Sequence, residues 1–142
     1  MSAFPFDTAH RIVAAAIAEA RRLGFKPMGV VAVDAAGQVI AIGRDDGASA
    51  LRLDIATGKC AAAIGMGVNS RALVERTQSL PVFFNTVAAV SQQKFVPQTG
   101  AVLVRDAGGT VVGAVGASGG TGDEDEQIVI AAATAAGLRV DR

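Results

Sequence analysis

Apolar residues return at helical spacing over residues 8–23, where Ile12, Ala16, Ala20 and Leu23 fall on one face. Asp7 and Thr8 precede them as N-cap candidates, and Gly24 is placed to end the helix. The pattern then changes period. Residues 28–34 and 38–43 are two β-type runs joined through Ala35-Ala36-Gly37, which predicts a hairpin with glycine at its left-handed position. The same figure returns at 100–106 and 110–116, joined through Ala107-Gly108-Gly109. Between the hairpins, 50–66 predicts an Ala- and Leu-rich helix. Asn69 can cap a second helix running to 78, and Pro81 suits the first turn of a third ending near 91. The last helix begins in the acidic run 123–126 and continues to 136, with Gly137 as its stop. Strands linked as hairpins, without βαβ crossovers, predict a mostly antiparallel sheet with helices packed on it: an α+β fold.

A chain of 142 residues has the length of one domain, 1–142, and one cysteine leaves no intrachain disulfide. A reducing, cytoplasmic setting is the expectation. Thirteen basic and thirteen acidic residues cancel, and neither Trp nor Tyr is present. That balance argues against nucleic acid and against an anionic membrane surface as partners. The opening residues lack a basic n-region with an apolar run, and no segment approaches the ~20 apolar residues of a membrane span. One imbalance points elsewhere. Hydrophobic residues make up 51% of the chain and charged residues only 18%, with mean hydropathy +0.41. So few charges on a small surface predict apolar patches and self-association.

Four places carry candidate chemistry. Arg44-Asp45-Asp46-Gly47-Ala48 follows the second strand. Arg44, with Asp46 beside it, is either a fork for a ligand carboxylate or a partner for Asp45 or Asp46 on a solvated turn. Lys59 has Ile55, Ala56, Ala62 and Ala63 as its helical neighbours, so its ammonium either snorkels to water or faces a cavity with a buried carboxylate. Cys60 beside it reads as a small buried hydrophobe rather than a nucleophile. The glycine-rich run 116–122 contains Ser118 and Gly119 as candidate ligand contacts. Its acidic continuation opposes a phosphate and leaves Asp125 or Glu126 to turn back towards Lys59 or Arg44. His10, the single histidine, stands in the first turn of a helix, where the dipole favours the neutral, iron-ligating imidazole; the alternative is simple exposure. No metal cluster, covalent haem motif or dinucleotide fingerprint is visible, so no resident metal is expected.

A wider pattern runs through these places. Val31-Ala-Val-Asp34-Ala-Ala-Gly37, Arg44-Asp-Asp-Gly-Ala48, Lys59-Cys-Ala-Ala-Ala63 and Gly113-Ala-Val-Gly-Ala-Ser-Gly-Gly120, with Asp125-Glu126, together resemble the GlcG/HbpS family. That family also includes the C-terminal domain of PduO-type proteins. The resemblance spans roughly residues 9–137. It implies a profilin-like α/β/α sandwich with a five-stranded, mostly antiparallel sheet, and homo-oligomers from tetramer to octamer. It further implies haem as a cofactor, since several members bind it, while others accompany glycolate or aromatic-acid catabolism. Two departures stand out: Cys60 replaces the usual alanine after the lysine, and 95–100 replaces a more glycine-rich stretch. Two functions are therefore in view. One is an oligomeric protein binding haem or a related tetrapyrrole, with His10 as candidate iron ligand. The other is an enzyme on a small carboxylate metabolite. There Arg44 anchors the carboxylate, Asp46, Ser118 and Gly119 line the site, and Lys59 moves protons with Asp125 or Glu126.

Overall fold

Helix α1 (Phe6–Arg22) ends where its apolar stripe ends, and Gly24 beyond it takes φ 72°. Strands β1 (Gly29–Asp34) and β2 (Val39–Arg44) form the first hairpin. Helices α2 (Leu51–Met66), α3 (Arg71–Ser79) and α4 (Pro81–Val90) follow. Then come β3 (Ala101–Arg105), β4 (Val111–Ser118), α5 (Gly122–Ala135) and the two-residue β5 (Arg139–Val140). This computed structural model describes residues 2–92 and 94–141. The strands make one antiparallel sheet in the order β2-β1-β4-β3-β5, so the fold is the α+β arrangement that the hairpins imply.

The sheet is covered on both faces, which explains its sequence. On one side α1 and α5 pack over Val30, Ala32, Val102, Val104, Val115 and Ala117. On the other, α2 packs Ala56, Cys60 and Ala63 over Val31, Val33, Ala101, Leu103 and Ala114. With both faces dry, β1 and β3 read as continuous apolar runs instead of alternating ones. Close approach of α2 depends on Gly116, because a Cβ there would lie 2.8 Å from Cys60 Sγ. A smaller cluster of Ala62, Leu73, Phe84 and Phe95 ties α3 and α4 to α2. Only Phe84 of α4 is buried, and Val82 and Val90 are 78% and 80% exposed. No helix among the described residues is long and apolar enough to cross a membrane.

Two local expectations are corrected. Helix α1 starts before Asp7 and Thr8, so neither caps it; Pro5 holds the N-cap position. Asn69 does not cap α3. Its side chain accepts from the Leu103 N–H at 2.8 Å and donates to the Asp141 carbonyl at 2.7 Å, binding the helical segment to the sheet edge. The acidic run at the start of α5 stands in its first turn, as expected, and supplies one half of a capping box. Thr121 Oγ1 accepts from the Glu124 N–H, and Glu124 Oε1 accepts from the Thr121 N–H.

A candidate functional site at the buried Lys59

Lys59 lies on the face of α2 that meets the sheet, and its long side chain carries the ammonium to the end of β4. Nζ donates to the Ala117 carbonyl at 3.0 Å and to Asp125 Oδ2 at 2.9 Å. The lysine is 5% exposed and Asp125 2%. The other oxygen of Asp125 accepts from the Gly120 N–H at 2.9 Å. Burial pushes the Asp125 carboxyl above its ordinary value, opposed by its bonds to Lys59 and Gly120 and by the charge of Arg52. An ammonium has three donors, and two of them are used by protein groups among the described residues.

Above the pair opens a cleft of about 440 Å³, lined by Arg52, Lys59, Gln98, Thr99, Ser118 and Asp125 among others. Arg52 stands two turns before Lys59 on the same face of α2, half-buried, with Nη1 3.4 Å from Ser118 Oγ. No carboxylate among the described residues lies within salt-bridge distance of it. Gly29 makes room, since its Cβ would meet the Arg52 backbone at 3.0 Å. Gln98 and Thr99 come from the 95–100 stretch, while Phe95 anchors that stretch in the apolar cluster below.

The remaining candidates are distributed more widely. Ser118 is buried and lines the cleft. Gly119 turns the other way: a Cβ on it would lie 2.3 Å from the Pro27 carbonyl oxygen, so its smallness serves backbone packing. Arg44 does not line the cleft. It pairs in register with Gly29, which pairs with Ser118, so it stands two strands, about 10 Å, from the cleft end of β4. Its Nη1 donates to the Ala48 carbonyl at 2.7 Å. Asp46 is exposed on the same turn, and Asp45 is held by Arg21 from α1, not by Arg44. Glu126 is one residue, and so about 100° of helix, from Asp125; it faces Arg71 at 3.1 Å. His10 is exposed on α1, across the sheet from α2, with its ring stacked on Phe6 at 5.4 Å between centroids. Cys60 is fully buried against the Val31 carbonyl, and burial pushes its thiol up to about 12, which leaves no thiolate at neutral pH. Sequence reasoning misses Arg52. Its separation of seven from Lys59 is the signal that could have found it, since i and i+7 share a helix face.

The family model described as "Haem degrading protein HbpS-like" matches residues 4–134. Solved structures agree. The PduOC:heme complex is 25% identical, with a TM-score of 0.84 over 96% of this chain and 97% of its own. A double mutant of Streptomyces reticuli HbpS is 25% identical, with a TM-score of 0.78 over 92% and 84%. Klebsiella pneumoniae protein ORFY, at 24% identity and a TM-score of 0.81 over 96% and 92%, shares the fold. No curated protein matches the chain. With the match running through α1, the sheet, the Lys59 cleft and nearly all of α5, the chain belongs to the HbpS-like family.

Proposed function

We propose that this chain is a homo-oligomeric small-ligand-binding protein whose ligand is haem or a related tetrapyrrole. The observation that carries the reading is its likeness, over 96% of its length, to a structure solved as a heme complex. Among side chains that could meet the iron, Cys60 and Met28 are sealed in the core and unavailable. His10 is exposed, near the start of α1 and stacked on Phe6, itself 57% exposed. An exposed imidazole can ligate iron, and Phe6 offers an apolar surface beside it. When bound, haem would supply its own iron chemistry, and the protein's part would be to hold and cover it.

Titration with hemin is the test. A saturable Soret shift is expected, and His10→Ala should change the ligated spectrum. No saturable shift in the unmodified protein would reject the reading and turn attention to an enzyme acting on a small carboxylate, which the buried Lys59–Asp125 pair favours.

Self-association rests on a separate feature. Residues 77–93 contain no charged residue, and Leu80, Val82, Phe83 and Val90 on and beside α4 are more than half exposed. Such a surface is expected to be covered in solution. Light scattering on column eluate should give a mass several times the 14.3 kDa of one chain; a monomer mass at micromolar concentration would overturn it.

A further inference from the structure

We infer that the cleft over Lys59 is a binding site for one carboxylate group on a small, partly apolar molecule, with Arg52 as its anchor. This cleft lies across the sheet from His10, so a tetrapyrrole whose propionate enters it would be held without His10 of the same protomer.

The charges make the first argument. Arg21, Arg22, Arg71 and Arg105 each have an acidic partner. Arg52 is half-buried at a cleft and has none among the described residues; its one hydrogen bond there is the long one to Ser118. Nearby negative charge is already committed. Asp125 is matched by Lys59, and Asp123 at the rim is held by Arg71, which it shares with Glu126. Arg52 thus has no carboxylate in salt-bridge reach among the described residues, and in partly desolvated surroundings a single negative charge on a ligand beside it is favoured.

Donor geometry makes the second. Three groups with unspent hydrogen-bonding capacity line the same cleft: the guanidinium fork of Arg52, the remaining donor of the Lys59 ammonium and the hydroxyl of Ser118. A guanidinium fork matches the two oxygens of a carboxylate. A phosphate is disfavoured, because its second charge would face Asp123 and Asp125 with no cation left to match it. Size and lining complete the assignment. About 440 Å³ is near the lower end of ligand sites, and Ile55, Val74 and Val96 give the cleft an apolar side for the body of the molecule.

A carboxylate could come from a free small acid or from a propionate arm of a tetrapyrrole, and the experiment separates them. Benzoate is titrated calorimetrically into the intact protein, with inorganic phosphate as comparison. Hemin is then titrated with and without benzoate. Arg52→Gln and Arg52→Lys test the anchor, Arg76→Gln controls for loss of an exposed charge elsewhere, and thermal midpoints establish that each variant is folded. For a free acid, benzoate should bind saturably and phosphate should not. Arg52→Gln should weaken benzoate about 10- to 100-fold, the range for losing a charge-assisted hydrogen bond. Arg52→Lys should recover part of that, and Arg76→Gln should match the parent. Hemin affinity would then be indifferent to benzoate and to Arg52. For a propionate, hemin affinity should fall with Arg52→Gln and benzoate should compete with it. Benzoate binding unchanged by Arg52→Gln overturns the proposal. So does an absence of benzoate binding together with hemin affinity indifferent to Arg52.

Discussion

Lys59→Met will lower the stability of the fold by about 3–5 kcal/mol at neutral pH, the range for removing one partner of a buried ion pair. Methionine fills the lysine's apolar path well enough. The loss comes from Asp125, which stays 2% exposed with only the Gly120 N–H facing it. The pH dependence follows from the same group. Burial already raises the Asp125 pKa, and removing the ammonium takes away its principal opposing influence. A carboxyl whose folded pKa lies above its unfolded value contributes stability that is full below the unfolded value, about 4, and lost as pH rises through the folded one. The variant's deficit should therefore shrink as pH falls from 7 towards 4. Lys59→Met with Asp125→Asn should recover most of the loss at pH 7, because the amide oxygen still accepts from Gly120 and no charge is stranded. Urea unfolding of the three proteins at pH 7 and pH 5 provides the check. A Lys59→Met midpoint equal to the parent's would show that the pair does not carry the burial seen here.

Gly119→Val will cost at least about 3 kcal/mol, combining overpacking with a backbone conformation that side chains rarely adopt. A Cβ there would meet the Pro27 carbonyl oxygen at 2.3 Å and Met28 Sδ at 2.9 Å, and the glycine has φ 155°. Met28 cannot easily retreat, because its side chain is fully buried in the core. Gly119→Ala should share most of the effect, since the clash begins at Cβ. Melting temperature decides the matter. An alanine variant that melts with the parent but loses ligand would mean that Gly119 serves the ligand and not the packing.

Much of the fold is legible in the chain because it rests on local rules. The stripe of Ile12, Ala16 and Ala20 and the stop at Gly24 give α1. The left-handed glycines at 37 and 109 give the two hairpins. The helical neighbours of Lys59 are apolar whatever the tertiary fold, so its two outcomes, snorkelling to water or meeting a buried acid, could be stated from spacing alone. The resemblance to the HbpS-like family supplied the fifth strand and the layering, which spacing did not: a two-residue strand at 139–140 is shorter than any periodicity can reveal.

What the sequence determined by itself was the helices, the two hairpins and the choice open to Lys59, water or a cavity with an acid. The tertiary structure decided which acid. Asp125 and Glu126 are adjacent and chemically alike, yet a helix turns successive residues about 100° apart, and docking of α5 against the sheet sends one to Lys59 and the other to Arg71. The same holds for the arginines. Arg44 ends the first hairpin and Arg52 follows it closely, but the strand order puts Arg44 two strands from the end of β4, while α2 crosses the sheet and lays Arg52 over Gly29 beside Ser118. Strand order and helix docking are set by long-range packing between the two apolar layers, and no local pattern in the chain encodes them.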